Sequence, residues 1–272
     1  MDINGIFRKL AFALRFAEPN LVVSGEIGDE SRILYKRDIV DRAKTLAPFL
    51  KFDRDPYPAL INGNVMWMLD AYTTSSMFPY AQNINPRAVK SGDLSGSYNY
   101  VRNSVKVVID AYNGSVDFYV IDKADPLAQS YQKQFPDLFT ESEPSQELRE
   151  HFRYPEDLFR IQTDMWGRYR INEAAEFYDA AGAWAIAQDP GNSIGLTAIE
   201  AVFDATGNIV SRSEARISPQ YLLLRLPGQD DESFVIFRPF VPFSDDDSRK
   251  NLEGFMVVHN DPERYGEIEV FE

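Results

Sequence analysis

Val105-Lys-Val-Val-Ile-Asp-Ala-Tyr-Asn-Gly-Ser-Val-Asp-Phe-Tyr-Val-Ile121 is the stretch that decides the fold class. β-branched and aromatic residues fill both flanks, and Asn113-Gly114 stands between them. Asn-Gly accepts the left-handed backbone of a tight turn, so the stretch predicts a hairpin, Val105–Tyr112 out and Ser115–Ile121 back. The same grammar occurs upstream, where Tyr57–Ile61 and Val65–Thr73 flank Asn62-Gly63-Asn64. It recurs downstream in Thr197–Phe203, Asn208–Ser213, Tyr221–Leu226, Phe234–Val241, Phe255–His259 and Ile268–Phe271. Short turns between such runs, Thr206-Gly207-Asn208 and Pro227-Gly228 among them, join antiparallel neighbours.

Helical periodicity is confined to other parts of the chain. Residues 5–17 place Ile6, Phe7, Leu10, Leu14 and Ala17 on one face, with Arg8, Lys9 and Arg15 outside it. Residues 38–50 follow, with Asp38 as N-cap and Pro48 loosening the end. Residues 125–191 read as helical. They open on Asp125-Pro126, contain the cap candidates Ser145 and Asn172, and close at Asp189-Pro190-Gly191. The strongest helix there runs from Pro155 to Tyr169, and residues 79–97 read as a polar loop. The expected class is α+β, antiparallel hairpins and sheet with segregated helices. Three sub-regions are expected: helices and hairpins in 1–124, helices in 125–191, and antiparallel β in 192–272.

Composition narrows the functions. The 272 residues include no cysteine, which excludes disulfides, thiolate nucleophiles and cysteine-held metals. The net charge of −14 argues against nucleic acid and anionic membrane surfaces as partners of the whole surface. That charge is uneven, since residues 1–60 carry ten Lys/Arg against nine Asp/Glu and residues 225–272 carry five against twelve. No apolar run reaches the roughly 20 residues that span a bilayer, and no signal-peptide pattern opens the chain.

The common catalytic signatures are absent from the sequence: no phosphate-cradling glycine loop, no nucleophile elbow, no His-Glu-x-x-His. His151 and His259 are the only histidines, and each reads as structural. Two hairpin strands carry an echo, Met68-Leu-Asp-Ala-Tyr72 and Val108-Ile-Asp-Ala-Tyr112. Alternation places Asp70 and Tyr72 on one face of their strand, and Asp110 and Tyr112 on one face of theirs. Brought together, two carboxylates and two phenols could bind a sugar, hold a cation or serve as a general acid/base pair. The plainer reading has each Asp fastening a nearby turn. Thr73 and Thr74 begin a loop of hydroxyls and aromatics suited to polar ligands. Asp245, Asp246 and Asp247 are the metal candidates, a structural calcium ion being the one cofactor they suggest, although the spacing is not that of an EF-hand. A solvated acidic turn is the competing reading.

Several blocks resemble a family. They are Ala11-Phe-Ala-Leu-Arg-Phe16, Asp29-Glu-Ser-Arg-Ile-Leu-Tyr-Lys-Arg-Asp38, Asp55-Pro-Tyr-Pro58, Leu69-Asp-Ala-Tyr-Thr-Thr74 and Tyr100-Val-Arg-Asn-Ser-Val105. Asp110-Ala-Tyr112, Phe152-Arg-Tyr-Pro-Glu-Asp-Leu-Phe159 and Arg238-Pro-Phe-Val-Pro242 continue the pattern. Together they resemble the soluble region of the uncharacterised bacterial protein family UPF0182. The resemblance implies a parent with several membrane-spanning helices and this region outside the cytoplasm at the cell membrane. The chain then reads as an excised fragment, a binding or interaction module rather than an enzyme. Its expected partners are its own membrane domain and an envelope polymer or protein. The alternative is a carboxylate-dependent envelope hydrolase or carbohydrate-active enzyme. The family supplies no catalytic residue to carry over, so a catalytic set is unknown from sequence.

Overall fold

The computed structural model describes residues 2–28, 30–33, 35–84, 93–191, 199–203, 209–244 and 249–272. Helices and strands are numbered in chain order. The chain begins with α1 (Ile6–Phe16), α2 (Asn20–Val23) and α3 (Ile39–Leu46). The Asp38 carboxylate caps α3 by accepting from the Asp41 N–H at 2.8 Å. Helix α3 stops four residues short of the expected end. Pro48 bars its predecessor from the helical region, and Ala47 sits at φ −128°, ψ 68°.

The first sheet follows, built from β1 (Lys51–Phe52), β2 (Tyr57–Ile61), β3 (Asn64–Ser75), β4 (Tyr100–Asp110) and β5 (Val116–Val120). Both predicted hairpins form. Between β2 and β3, Asn62 and Gly63 both take positive φ, 49° and 78°, as a two-residue hairpin turn of the favoured hand requires. Every pairing is antiparallel. Strand β3 is central, with β4 along one edge and β2, then β1, sharing the other. Leu69 and Ala71 of β3 and Val105, Val107 and Ile109 of β4 face α3 and α4 (Pro126–Gln134) and form one core with Phe118. The other face presents Met68 and Val108 to Leu148 and Phe152.

Past α4 lie α5 (Gln146–Glu150), α6 (Glu156–Tyr169) and α7 (Ala174–Asp179). Ser145 caps α5, accepting from the Leu148 N–H. Asn172 is not a cap, because α7 begins after Glu173. The helical reading of 125–191 also needs correction at its end, where Trp184–Ile186 is strand β6, paired with Phe240–Pro242. A three-residue strand is too short to show a period of two; its partner, not its own pattern, makes it a strand.

Strands β7 (Ile199–Phe203) and β8 (Ile209–Glu214) pair as a two-stranded unit. The second large sheet adds β9 (Gln220–Arg225), β10 (Glu232–Pro242), β11 (Gly254–His259) and β12 (Ile268–Phe271) to β6. It repeats the plan of the first: a long central strand, β10, has β11 on one edge while β9 and β6 share the other. Helix α6 packs on this sheet through Leu158, Phe159 and Ile161, which meet Trp184, Phe240 and Met256. A Cβ on Gly167 of α6 would lie 2.4 Å from the Trp184 carbonyl oxygen, so only glycine permits this approach. Tyr72, Leu94 and Tyr98 join the same core, so the three sub-regions expected from sequence share apolar contacts. The fold is α+β.

Candidate functional site

Asp70 lies in the middle of β3, directly opposite Lys106 of β4. Both are buried, 4 % and 1 % exposed, and the ammonium donates to the Asp70 carboxylate. Lys106 also donates to the Arg153 carbonyl at 2.6 Å and lies 5.3 Å from the ring centres of Phe152 and Tyr265. Burial pushes the Asp70 carboxyl up to about 6; Lys106 opposes the rise and nearby Asp53 adds to it. Burial likewise lowers the Lys106 ammonium from its ordinary value, against the pull of Asp70.

Around this pair a polar joint links the two sheets. Its centre is the backbone of Arg153 and Tyr154, just before α6. Arg153 donates its N–H to the Tyr57 hydroxyl at 2.9 Å, and its carbonyl accepts from Lys106 and, at 3.1 Å, from the Tyr265 hydroxyl. Tyr154 donates its N–H to Asn260 at 2.5 Å, and its carbonyl accepts from the Tyr221 hydroxyl at 2.6 Å. Tyr57 and Lys106 come from the first sheet, Tyr221 from the second, and Asn260 and Tyr265 from the chain after β11. The Arg153 guanidinium stacks over Tyr57 at 4.7 Å and Tyr221 at 5.6 Å. Burial raises the phenols of Tyr57, Tyr221 and Tyr265, and Asp70 adds to each rise. These groups stay neutral; Tyr221 and Tyr265 donate to backbone carbonyls, and Tyr57 accepts from the Arg153 N–H.

The candidates from sequence divide between this joint and the surface. Tyr72 is fully buried and donates to Asp53, which also accepts the Asp55 N–H at 3.0 Å. Thr73 donates to Asp125 at 2.5 Å, and Ser104 and Tyr100 donate to the same carboxylate at 2.5 and 2.7 Å. Burial would raise the Asp125 carboxyl, but these bonds and the Leu127 N–H outweigh it and hold the group low. Asp125 thus both caps α4 and ties it to the sheet. Thr74 is half-buried, opposite Val101. Asp110 ends β4 and accepts from the Tyr112 N–H at 2.7 Å and the Asn113 N–H at 2.9 Å. Tyr112 points into solvent, 94 % exposed.

The structure does not bring Asp70 and Asp110 together. Asp70 is level with Lys106, four residues along β4 from Asp110, which is about 13 Å of strand. A glycosidase pair needs roughly 5–10 Å, and the Asp70 carboxylate is closed in an ion pair. Asp245, Asp246 and Asp247 lie outside the described residues. Among the described residues, no group of three or more His, Asp and Glu is placed to hold a metal ion. His151 is half-buried, its Nδ1 2.8 Å from the Glu147 carbonyl, and His259 is fully buried.

Sequence reading missed Lys106 and Arg153. A signal existed for Lys106, since alternation puts it on the Asp110 face of β4 between apolar neighbours. What the sequence did not carry is the register that sets it opposite Asp70.

The open surface lies elsewhere, along α6. Gln162, Met165, Trp166 and Tyr169, spaced as one helical side, form one wall of an apolar cleft of about 610 Å³. Met256, Ile268 and Val270 of β11 and β12 form the other. Trp166, Tyr169 and Ile268 are exposed in its rim, and Tyr169 donates to Gln82 across its edge. A smaller hollow of about 280 Å³ opens beside Thr163, Asp164, Arg168 and Arg216. Cleft size and apolar walls match sites that take a small apolar group or an apolar side chain.

The sequence pattern of the uncharacterised protein family (UPF0182) matches residues 1–272. A UPF0182 protein of Cupriavidus necator is 41% identical over 269 residues, covering 98% of this chain and 27% of that protein. Others from Methanospirillum hungatei and Micrococcus luteus are 37% and 36% identical, covering 97% and 100% of this chain and 26% of each relative. The chain therefore spans about a quarter of the length of these curated relatives. No solved structure matches it.

Proposed function

The chain belongs to the uncharacterised protein family UPF0182, and from that premise we propose that it is a binding module, not an enzyme, within a larger membrane-anchored protein. Its place would be the extracytoplasmic side of the cell membrane. One observation carries the binding reading: the aromatic-walled cleft between α6 and the β11–β12 edge. Its walls are apolar, and Gln162 is a polar group at hand to orient an occupant. Of the titratable groups that sequence marks for chemistry, Asp70 and Tyr72 are buried and partnered by Lys106 and Asp53, and Asp110 is spent on its own turn.

In the relatives this module is one part of a protein roughly four times as long. Among the described residues no helix is long and apolar enough to cross a membrane, so this reading places the anchor in the remainder of the protein. The occupant of the cleft would be an apolar segment of that remainder, or of an envelope polymer or protein.

The test uses the dye ANS as a reporter of the cleft. The chain should bind ANS, and Ile268→Asp, at an exposed strand end, should reduce that binding with the fold intact by circular dichroism. The detergent-solubilised remainder of the protein, or envelope polymer, should displace the dye. Dye binding unaltered by Ile268→Asp, or untouched by every partner preparation, would overturn the proposal.

A further inference from the structure

Helix α1 turns its apolar side outward. Phe7 is 86 % exposed and Leu14 83 %, with Ile6 at 55 % and Leu10 at 43 % beside them. Their spacing puts all four on one side of the helix. The opposite side fastens α1 to the molecule. Phe12 is buried, its ring stacks on Phe16 at 5.9 Å, and both rings lie against Tyr35 at 5.9 and 6.0 Å. The helix is thus held by the face that sequence periodicity does not favour, and its stronger apolar stripe has no partner among the described residues.

Charge says what kind of partner fits. Within Ile6–Phe16 stand Arg8, Lys9 and Arg15 and no acidic residue, in a chain of net charge −14. None of the three cations interrupts the stripe: Arg8 and Arg15, the latter 5.9 Å from the Tyr35 ring centre, stand between it and Phe12 on one side of the helix, and Lys9, donating to the Ile27 carbonyl at 2.7 Å, stands on the other. We propose that α1 lies in the surface of an anionic lipid bilayer, Phe7, Leu10 and Leu14 entering the acyl boundary while Arg8 and Arg15 meet the headgroup phosphates. A few side chains on a convex helix fall far short of the roughly 20–30 residues a side of a stable protein interface. A second copy of the chain, joined by a two-fold axis through this face, would set the same cations against each other. A bilayer needs neither a large area nor a matching groove. The inference stands on α1 alone and does not depend on the cleft beside α6.

The experiment is sedimentation of the whole 272-residue chain with vesicles of phosphatidylglycerol and phosphatidylcholine in equal parts, and with pure phosphatidylcholine. The chain should pellet with the anionic vesicles, less at high salt, and weakly or not at all with the neutral ones. Phe7→Ser with Leu14→Ser changes two exposed positions and should weaken pelleting roughly tenfold or more, with an unchanged circular dichroism spectrum. Arg8→Gln with Arg15→Gln should remove the preference for anionic lipid. Failure of the natural chain to pellet, or equal pelleting of the serine variant, would overturn the proposal. A dimer that the serine variant dissociates, without vesicle binding, would assign the face to a second copy instead.

Discussion

Met68-Leu-Asp-Ala-Tyr72 and Val108-Ile-Asp-Ala-Tyr112 match in residue type position by position, yet they end in opposite surroundings. Tyr72 is fully buried and Tyr112 is 94 % exposed. Asp70 faces Lys106 inside the protein, whereas Asp110 faces Met66 and spends its carboxylate on the turn that follows. The difference lies in where each strand stops. Strand β3 continues to Ser75, so its pentad has neighbours on both edges. Strand β4 ends at Asp110, so the second pentad runs out into a turn. A short motif of this kind carries no fixed role; strand length and cross-strand register assign one.

The sharpest way to break the comparison is at Lys106. Lys106→Ala leaves the Asp70 carboxylate buried without its counter-ion, and we expect about 3–5 kcal/mol less stability in urea unfolding. Asp70→Leu with Lys106→Met should return most of that loss, because an apolar pair of similar volume removes both desolvated charges. A loss below about 1 kcal/mol for Lys106→Ala would mean that the buried pentad is no more demanding than the exposed one.

The second test reads the same carboxyl through pH. With the Asp70 group pushed up to about 6 in the folded protein and near 3.8 when exposed, the folded chain holds this proton more tightly. Its contribution to stability is therefore greatest below pH 4 and is lost as pH rises toward 6. Comparing the natural chain with Asp70→Asn from pH 4 to 7 should show a steeper descent in the natural chain, the part left in the variant coming from Asp157, whose carboxyl burial also pushes up to about 6. Its size is at most roughly 3 kcal/mol. Parallel stability curves would show that Asp70 is not held as the structure describes.

These results bear on how much of the molecule can be read from sequence. The hairpin turns were legible because Asn62-Gly63 makes a local statement: only residues that tolerate positive φ suit that turn. The caps at Asp38, Asp125 and Ser145 were legible for the same reason, each side chain acting within three residues of itself. Strand β6 was not, because Trp184–Ile186 is a strand only by virtue of Phe240–Pro242, more than fifty residues on. The joint was half legible. Alternation found the face of Asp70 and Tyr72, but their partners Lys106 and Asp53 arrive through register and packing. The stripe on α1 was read correctly as a stripe; that it faces outward follows from Phe12, Phe16 and Tyr35 holding the other side. The cleft depends on a helix and two strands a hundred residues apart, and no local pattern announces it.

The smallest effects belong to the exposed pentad, and they decide whether its aspartate has a role at all. Asp110 accepts two backbone N–H groups of the turn and, through its second oxygen, the Asn113 side-chain amide at 3.0 Å. Gly114 closes the turn at φ 74°, donating its N–H to the Asp110 carbonyl at 2.9 Å. Asp110→Ala removes acceptors much as loss of a helix cap does, so we expect about 1 kcal/mol less stability. Tyr112→Ala, two residues on, should change stability by no more than about 0.5 kcal/mol, since its ring stands in water. If Asp110→Ala proves as neutral as Tyr112→Ala, the carboxylate is not fastening the turn. A loss as large as that of Lys106→Ala would instead show that this aspartate is held by more than its turn, and that the two pentads are closer in role than their burial implies.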